Sequence, residues 1–148
     1  MGRICFLRHG EAEDDDGRGD AARELTPRGR AQSSAAGAAL AAIGFRPDAC
    51  LASPRVRARD TALLACASLG LEPEIVDAIG AGSYDSLDLT AGRGDVMIVG
   101  HQPVLADEVA RLTGASIRMK KGGIAMVEGG KLLMLAGPDE LALIAESG

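Results

Sequence analysis

Short apolar runs alternate along the chain with longer segments of helical character. Arg3-Ile4-Cys5-Phe6-Leu7 is almost wholly apolar, the pattern of a strand whose two faces are both covered. It stops abruptly at Arg8-His9-Gly10-Glu11, and an acidic, glycine-containing loop follows over 13–20. Thr26-Pro27 supplies an N-cap and a proline at the first helical position, which predicts a helix to about residue 43, closed by Gly44. The alanine-rich middle of that helix, 35–42, permits close approach to a sheet. Residues 48–52 read as a second strand. Ser53-Pro54 then repeats the cap-plus-proline signal and opens a helix through about residue 69, and 74–76 reads as a third short strand. The stretch 78–94 is glycine-rich and weakly patterned, a loop with one helical turn.

Asp95-Val96-Met97-Ile98-Val99 is the clearest strand and runs straight into Gly100-His101-Gln102-Pro103. A helix to about residue 113 follows. Its Leu105, Val109 and Leu112 share a face, and Asp107 and Arg111 are spaced for an i,i+4 ion pair. Residues 124–127 and 132–135, joined around Gly129-Gly130, read as a hairpin, and 138–146 as a terminal helix. This alternation predicts a layered α/β fold.

Length and composition narrow the picture. At 148 residues and 15.1 kDa the chain fits one domain over 1–148. Its apolar share, 47%, suffices for a core, but one built from small side chains: 26 Ala and 20 Gly stand against two Phe, one Tyr and no Trp. Three aromatics leave no ladder for stacking single-stranded bases, and a net charge of −5 leaves no broad basic face for a duplex, so no nucleic-acid partner is expected. The longest charge-free stretch, 31–45, is 15 residues, shorter than the roughly 20 that span a bilayer. Only four apolar residues separate Arg3 from Arg8, too few for a signal peptide. Cys5, Cys50 and Cys66 are odd in number, lack a CxxC pair and sit in apolar segments. They read as buried small hydrophobes rather than a disulfide scaffold or zinc site, with a reducing cytoplasm as the natural compartment.

The chain holds only two histidines, His9 and His101, and both fall where an apolar strand stops. Ligands in open α/β sheets bind at that edge. Ser53-Pro54 with Arg57 occupies the same kind of position, although helix capping alone accounts for Ser53-Pro54. A histidine beside an arginine is held toward its neutral form, able to act as nucleophile, base or metal ligand. Arg8 and Arg57 would repel a cation and instead suit a phosphoryl dianion, because the guanidinium fork matches phosphate oxygens. Helix starts at Pro54 and Pro103 add anion-favouring dipoles. Neither a metal nor another cofactor is expected. Seven of the 21 acids lie between Glu11 and Glu24, the pattern of a solvated loop.

Four spaced segments together resemble the histidine phosphatase superfamily, also called phosphoglycerate-mutase-like. They are Leu7-Arg8-His9-Gly10-Glu11, Leu25-Thr26-Pro27-Arg28-Gly29, the run from Ser53-Pro54-Arg55-Val56-Arg57 to Asp60-Thr61-Ala62, and Val99-Gly100-His101-Gln102-Pro103. Asp60 stands where the family more often has Gln. The resemblance implies a three-layer α/β/α sandwich with a mostly parallel central sheet. It also implies that His9 attacks phosphorus, that Arg8, Arg57 and His101 bind the phosphoryl group, and that Gly10 belongs to the substrate-binding loop.

Most members of the family protonate the leaving group with an acidic side chain. The candidates here are Asp85 and Glu11, with Asp77 and Asp88 behind them, none in a recognised pattern. A P–N bond would depend less on such an acid, because a phosphohistidine leaving group can be protonated on its own ring nitrogen. Only 44 positions separate Arg57 from His101, without the large cap insertion of the mutase and sugar-phosphatase branches. The SixA-like phosphohistidine phosphatase branch is therefore the expectation, with a phosphohistidine-bearing protein as partner. The alternatives are a small phosphorylated substrate and a non-catalytic phosphate-binding module.

Overall fold

A computed structural model describes residues 2–147. Six strands form one sheet: β1 (Arg3–Arg8), β2 (Ala49–Ala52), β3 (Glu74–Ile75), β4 (Val96–Gly100), β5 (Ile124–Glu128) and β6 (Lys131–Ala136), in the order β3-β2-β4-β1-β5-β6. The pairs β3–β2, β2–β4 and β4–β1 are parallel, and β5 is antiparallel to both β1 and β6. Among the described residues the five α-helices are α1 (Pro27–Ala42), α2 (Val56–Cys66), α3 (Ser86–Thr90), α4 (Val104–Thr113) and α5 (Pro138–Ser147).

Strand alternation divides the core into two layers. Cys5, Leu7, Met97 and Val99 point to the face covered by α1, α2 and α5, where Ala36, Leu40, Ala58, Ala62 and Leu141 are buried. Ile4, Phe6, Val96 and Ile98 point to the opposite face, against Leu105 and Val109 of α4 and Ile79. The fold is thus a three-layer α/β/α sandwich with a mostly parallel sheet. Both faces of β1 and β4 are covered, which is why these strands read as unbroken apolar runs.

The small-residue composition finds its use between helices rather than between α1 and the sheet. A Cβ on Gly37 of α1 would lie 2.1 Å from the Ala65 carbonyl oxygen of α2, so the two backbones meet with no side chain between them. All three cysteines are buried and free, as small hydrophobes would be.

Several local readings differ from the structure. The cap-plus-proline signal holds for α1, where the Thr26 hydroxyl accepts the Gly29 amide at 2.9 Å. It fails for α2, which starts at Val56 after an Arg55 N-cap and ends at Cys66, leaving Ser53 outside the helix. The weakly patterned stretch contains two short helical pieces, a 3-10 turn at Asp77–Gly80 and α3. Arg111 does not pair with Asp107; it bonds Glu108 at 2.6 Å and Asp85 at 3.0 Å, because Glu108 is buried and needs the charge.

Candidate active site

Three neighbouring strands deliver the site. In β2, β4 and β1 the registers Ala52↔Val99 and Arg8↔Gly100 align the carboxyl ends. His9, Ser53 and His101 each follow directly. Their backbones stay tied to the sheet edge: the His9 amide donates to the Gly100 carbonyl at 3.2 Å, and the Ser53 amide to that of Val99 at 3.1 Å. The chain leaves β1 and β2 toward α1 and α2 on one face and leaves β4 toward α4 on the other. Such a reversal of connection is where open α/β sheets place their ligands, at the carboxyl edge.

The two imidazoles meet there, with ring centroids 5.3 Å apart. His9 is buried, and its Nδ1 lies 2.7 Å from the Gly10 carbonyl oxygen. A carbonyl can only accept, so Nδ1 carries the proton and the lone pair resides on Nε2. Burial pushes the His9 pKa down to about 4; the Gly10 bond opposes this, and the charges of Arg57, Arg8 and Lys121 add to it. His101 is pushed down to about 3, again by burial first, then by His9, Arg57 and Arg55. Both rings are therefore neutral near pH 7, and His9 presents a free nitrogen.

Two arginines flank the pair. Arg8 donates through Nη1 to the Met119 carbonyl at 2.9 Å. Arg57, only 5% exposed, donates through Nη1 to the Asp20 backbone carbonyl at 2.8 Å and through Nη2 to the Asp20 carboxylate at 3.0 Å. The end-on fork of its guanidinium is thus filled, and the Nε edge is left. Arg8 Nε, Arg57 Nε and His101 Nδ1 are all buried with no hydrogen-bond partner among the described residues. Unpaired buried nitrogens are costly unless something accepts from them, and this set suits an acceptor with several oxygens.

Asp20 was hidden in the sequence. It belongs to the acidic run read as solvated loop, yet its carboxylate bridges Arg57, Arg55 and Arg23. The hydrogen bond to Arg57 holds its pKa below the ordinary aspartate range. A partner 37 positions away leaves no local signal. Ser53 lies at the strand edge where the sequence places it, but helix capping does not account for it: its hydroxyl lies 2.7 Å from His101 Nε2, and Arg55 is the N-cap of α2.

Other expected residues sit elsewhere. The Gly10 amide is committed to the Thr61 hydroxyl at 3.1 Å, so it is not a free donor for substrate. A Cβ on Gly10 would come within 2.5 Å of the Gly29 carbonyl oxygen; the glycine permits the nucleophile loop to lie on the first turn of α1. The Glu11 carboxylate turns to the Thr26 hydroxyl at 3.1 Å and Arg28 at 3.7 Å. Asp85 caps α3, accepting from the Leu87 and Asp88 amides, and pairs with Arg111. Asp77 and Asp88 are exposed. Among the described residues, no carboxylate hydrogen-bonds to either imidazole. None of them forms a cluster of three or more metal-ligating side chains, and no helix is long and apolar enough to cross a membrane.

Comparison with known proteins accords with this geometry. The family described as the histidine phosphatase superfamily (branch 1) matches residues 4–88. An uncharacterised protein of Picosynechococcus sp. is 32% identical over 155 residues, covering 95% of this chain and 94% of its own. The solved structure of the protein histidine phosphatase SixA complexed with tungstate superposes with a TM-score of 0.83 at 23% identity, covering 94% of this chain and 99% of that one. A phosphoserine phosphatase from Entamoeba histolytica, in complex with 3-phosphoglyceric acid, gives 0.73 at 16% identity, covering 95% and 100%. At these identities the two structures share the fold.

Proposed function

This chain belongs to the histidine phosphatase superfamily (branch 1), and on that premise we propose that it is a phosphatase acting through a phosphohistidine on His9, with protein phosphohistidine as substrate. The observation that carries the reading is the set of orphaned nitrogens on Arg8, Arg57 and His101 beside a neutral His9 whose Nε2 lone pair is free.

Arg8, Arg57 and His101 bind the phosphoryl oxygens. His9 Nε2 attacks phosphorus as the bond to the leaving group breaks. The three donors stabilise the charge spread over the oxygens, which is the principal task in phosphoryl transfer. Water then attacks the phosphoenzyme, the P–N bond to His9 breaks, and inorganic phosphate leaves with neutral His9 restored.

Two features favour a phosphohistidine donor. Among the described residues no carboxylate is bonded to the histidine pair, so a leaving group that carries its own proton has the advantage. A phosphohistidine protonated on its distal ring nitrogen departs as neutral imidazole. Between α2 and β4 the chain also adds only the two-residue β3, a 3-10 turn and the five-residue α3, leaving the mouth open to a side chain presented by another protein.

The test compares kcat/KM on a phosphohistidine-bearing phosphotransfer domain with that on a panel of sugar phosphates. The expected preference is for the phosphoprotein; sugar phosphates favoured by orders of magnitude would make the chain a small-molecule phosphatase. His9→Ala should abolish turnover of both. Trapping should give an acid-labile, alkali-stable phosphoenzyme that His9→Ala cannot form. Binding of inorganic phosphate with no hydrolysis of any substrate would leave only a phosphate-binding module.

A further inference from the structure

We propose that Ser53 is a positioning residue that holds His101 in the Nδ1–H tautomer, so that His101 meets the phosphoryl group as a hydrogen-bond donor. Ser53 is completely buried, and its hydroxyl oxygen has two neighbours. The Arg55 amide, at 3.2 Å, can only donate to it. The remaining neighbour, His101 Nε2 at 2.7 Å, is among the described residues the only group bonded to the hydroxyl that can accept its proton. With the serine donating, Nε2 is the acceptor and the imidazole proton sits on Nδ1.

The opposite arrangement fails on two counts. If Nε2–H donated to the serine, the hydroxyl proton would be buried with no acceptor. The His101 Nδ1, buried and unpartnered like Arg8 Nε and Arg57 Nε, would then present a lone pair to the oxygens of an anion. Burial of a polar hydrogen without a partner is costly, and lone pairs facing lone pairs add to that cost.

One consequence sets the two histidines apart. Both carry their proton on Nδ1, but they show opposite ends to the site. His9 spends its Nδ1–H on the Gly10 carbonyl and offers the Nε2 lone pair. His101 spends its Nε2 on Ser53 and offers the Nδ1–H. The partner of each ring, a carbonyl for one and a hydroxyl for the other, makes one imidazole a nucleophile and its neighbour 5.3 Å away a donor.

The tautomer stands on the hydrogen-bond geometry alone; the donor role rests on the phosphatase reading. Having only two histidines makes the measurement direct. A long-range proton–nitrogen correlation spectrum of the whole protein at pH 7, with His9→Ala to assign the rings, should show both imidazoles protonated at Nδ1. In Ser53→Ala the His101 ring should shift wholly or partly to Nε2–H, and kcat on an aryl phosphate should fall by about 10- to 100-fold, as expected when a ring loses its proper tautomer beside a developing charge. Ser53→Thr, which keeps the hydroxyl, should retain the wild-type tautomer and most of the rate.

A wild-type His101 protonated at Nε2 overturns the proposal, even if no Ser53 variant folds. So does a Ser53→Ala protein with unchanged tautomer and rate. Inorganic phosphate added to the wild type should move the His101 Nδ1–H signal. If it moves neither ring while the tautomer is as stated, the phosphatase reading fails and the donor role falls with it.

Discussion

The Thr61 hydroxyl accepts a hydrogen bond from the Gly10 amide at 3.1 Å and donates one to the Arg57 carbonyl at 2.7 Å. It thereby ties the loop carrying His9 to the helical turn carrying Arg57. The Ser33 hydroxyl of α1 lies 3.1 Å away and joins the same buried cluster. Thr61→Val keeps the shape and removes the link, leaving the Gly10 N–H buried without an acceptor. It should cost about 1–3 kcal/mol in urea unfolding. It should also lower kcat on an aryl phosphate, because the nucleophile and Arg57 lose their common anchor. Unchanged stability would mean that the Gly10 amide finds another acceptor.

Asp20→Asn tests how far the acidic loop restrains the arginines. The asparagine keeps an oxygen for Arg57 Nη2, and the backbone bond at 2.8 Å is untouched. What disappears is a negative charge that also contacts Arg55 and Arg23. Inorganic phosphate should inhibit this variant about 3- to 10-fold more tightly at low ionic strength, and the difference should shrink in high salt. Weaker inhibition would show that the charge orders Arg57 rather than opposing the ligand.

The two histidines should make stability depend on pH. Their folded pKa values, about 4 and about 3, lie below the ordinary value of 6.5, so the unfolded chain binds more protons in the window between. Stability therefore rises with pH across that window and is lost as pH falls from about 6.5 toward 4. Between pH 7 and pH 5 the loss should be on the order of 2 kcal/mol for each histidine. A His9→Gln/His101→Gln double variant should show a correspondingly flatter profile in urea titrations. Equal profiles would place both rings in contact with water.

Gly37→Ala puts a methyl group against the Ala65 backbone, where flexible side chains cannot yield. It should destabilise by about 1–3 kcal/mol by separating α1 from α2. Gly130→Ala, whose new atom would lie 3.6 Å from its nearest neighbour, should be nearly neutral and serves as the control.

Asp85→Asn should leave kcat on an aryl phosphate within about twofold of wild type, since Asp85 caps α3 and pairs with Arg111 at the surface. A hundredfold loss with an altered pH profile would return Asp85 to the role of proton donor.

The sequence by itself determined the layered α/β architecture, the burial of the cysteines and the placement of both histidines at strand ends. Each of these is written locally: in unbroken apolar runs for strands covered on both faces, in Thr26-Pro27 at a helix start, and in the residues next along the chain from β1 and β4. Tertiary structure alone decided how those side chains are held. Asp20 meets Arg57 across 37 positions, Ser53 meets His101 across 48, and Gly10 meets Thr61 across 51. Ser53 shows the limit most clearly, because a local explanation, helix capping, was available and wrong. The direction of one hydroxyl proton depends on which acceptor the fold brings within reach. No periodicity or capping rule along the chain records that.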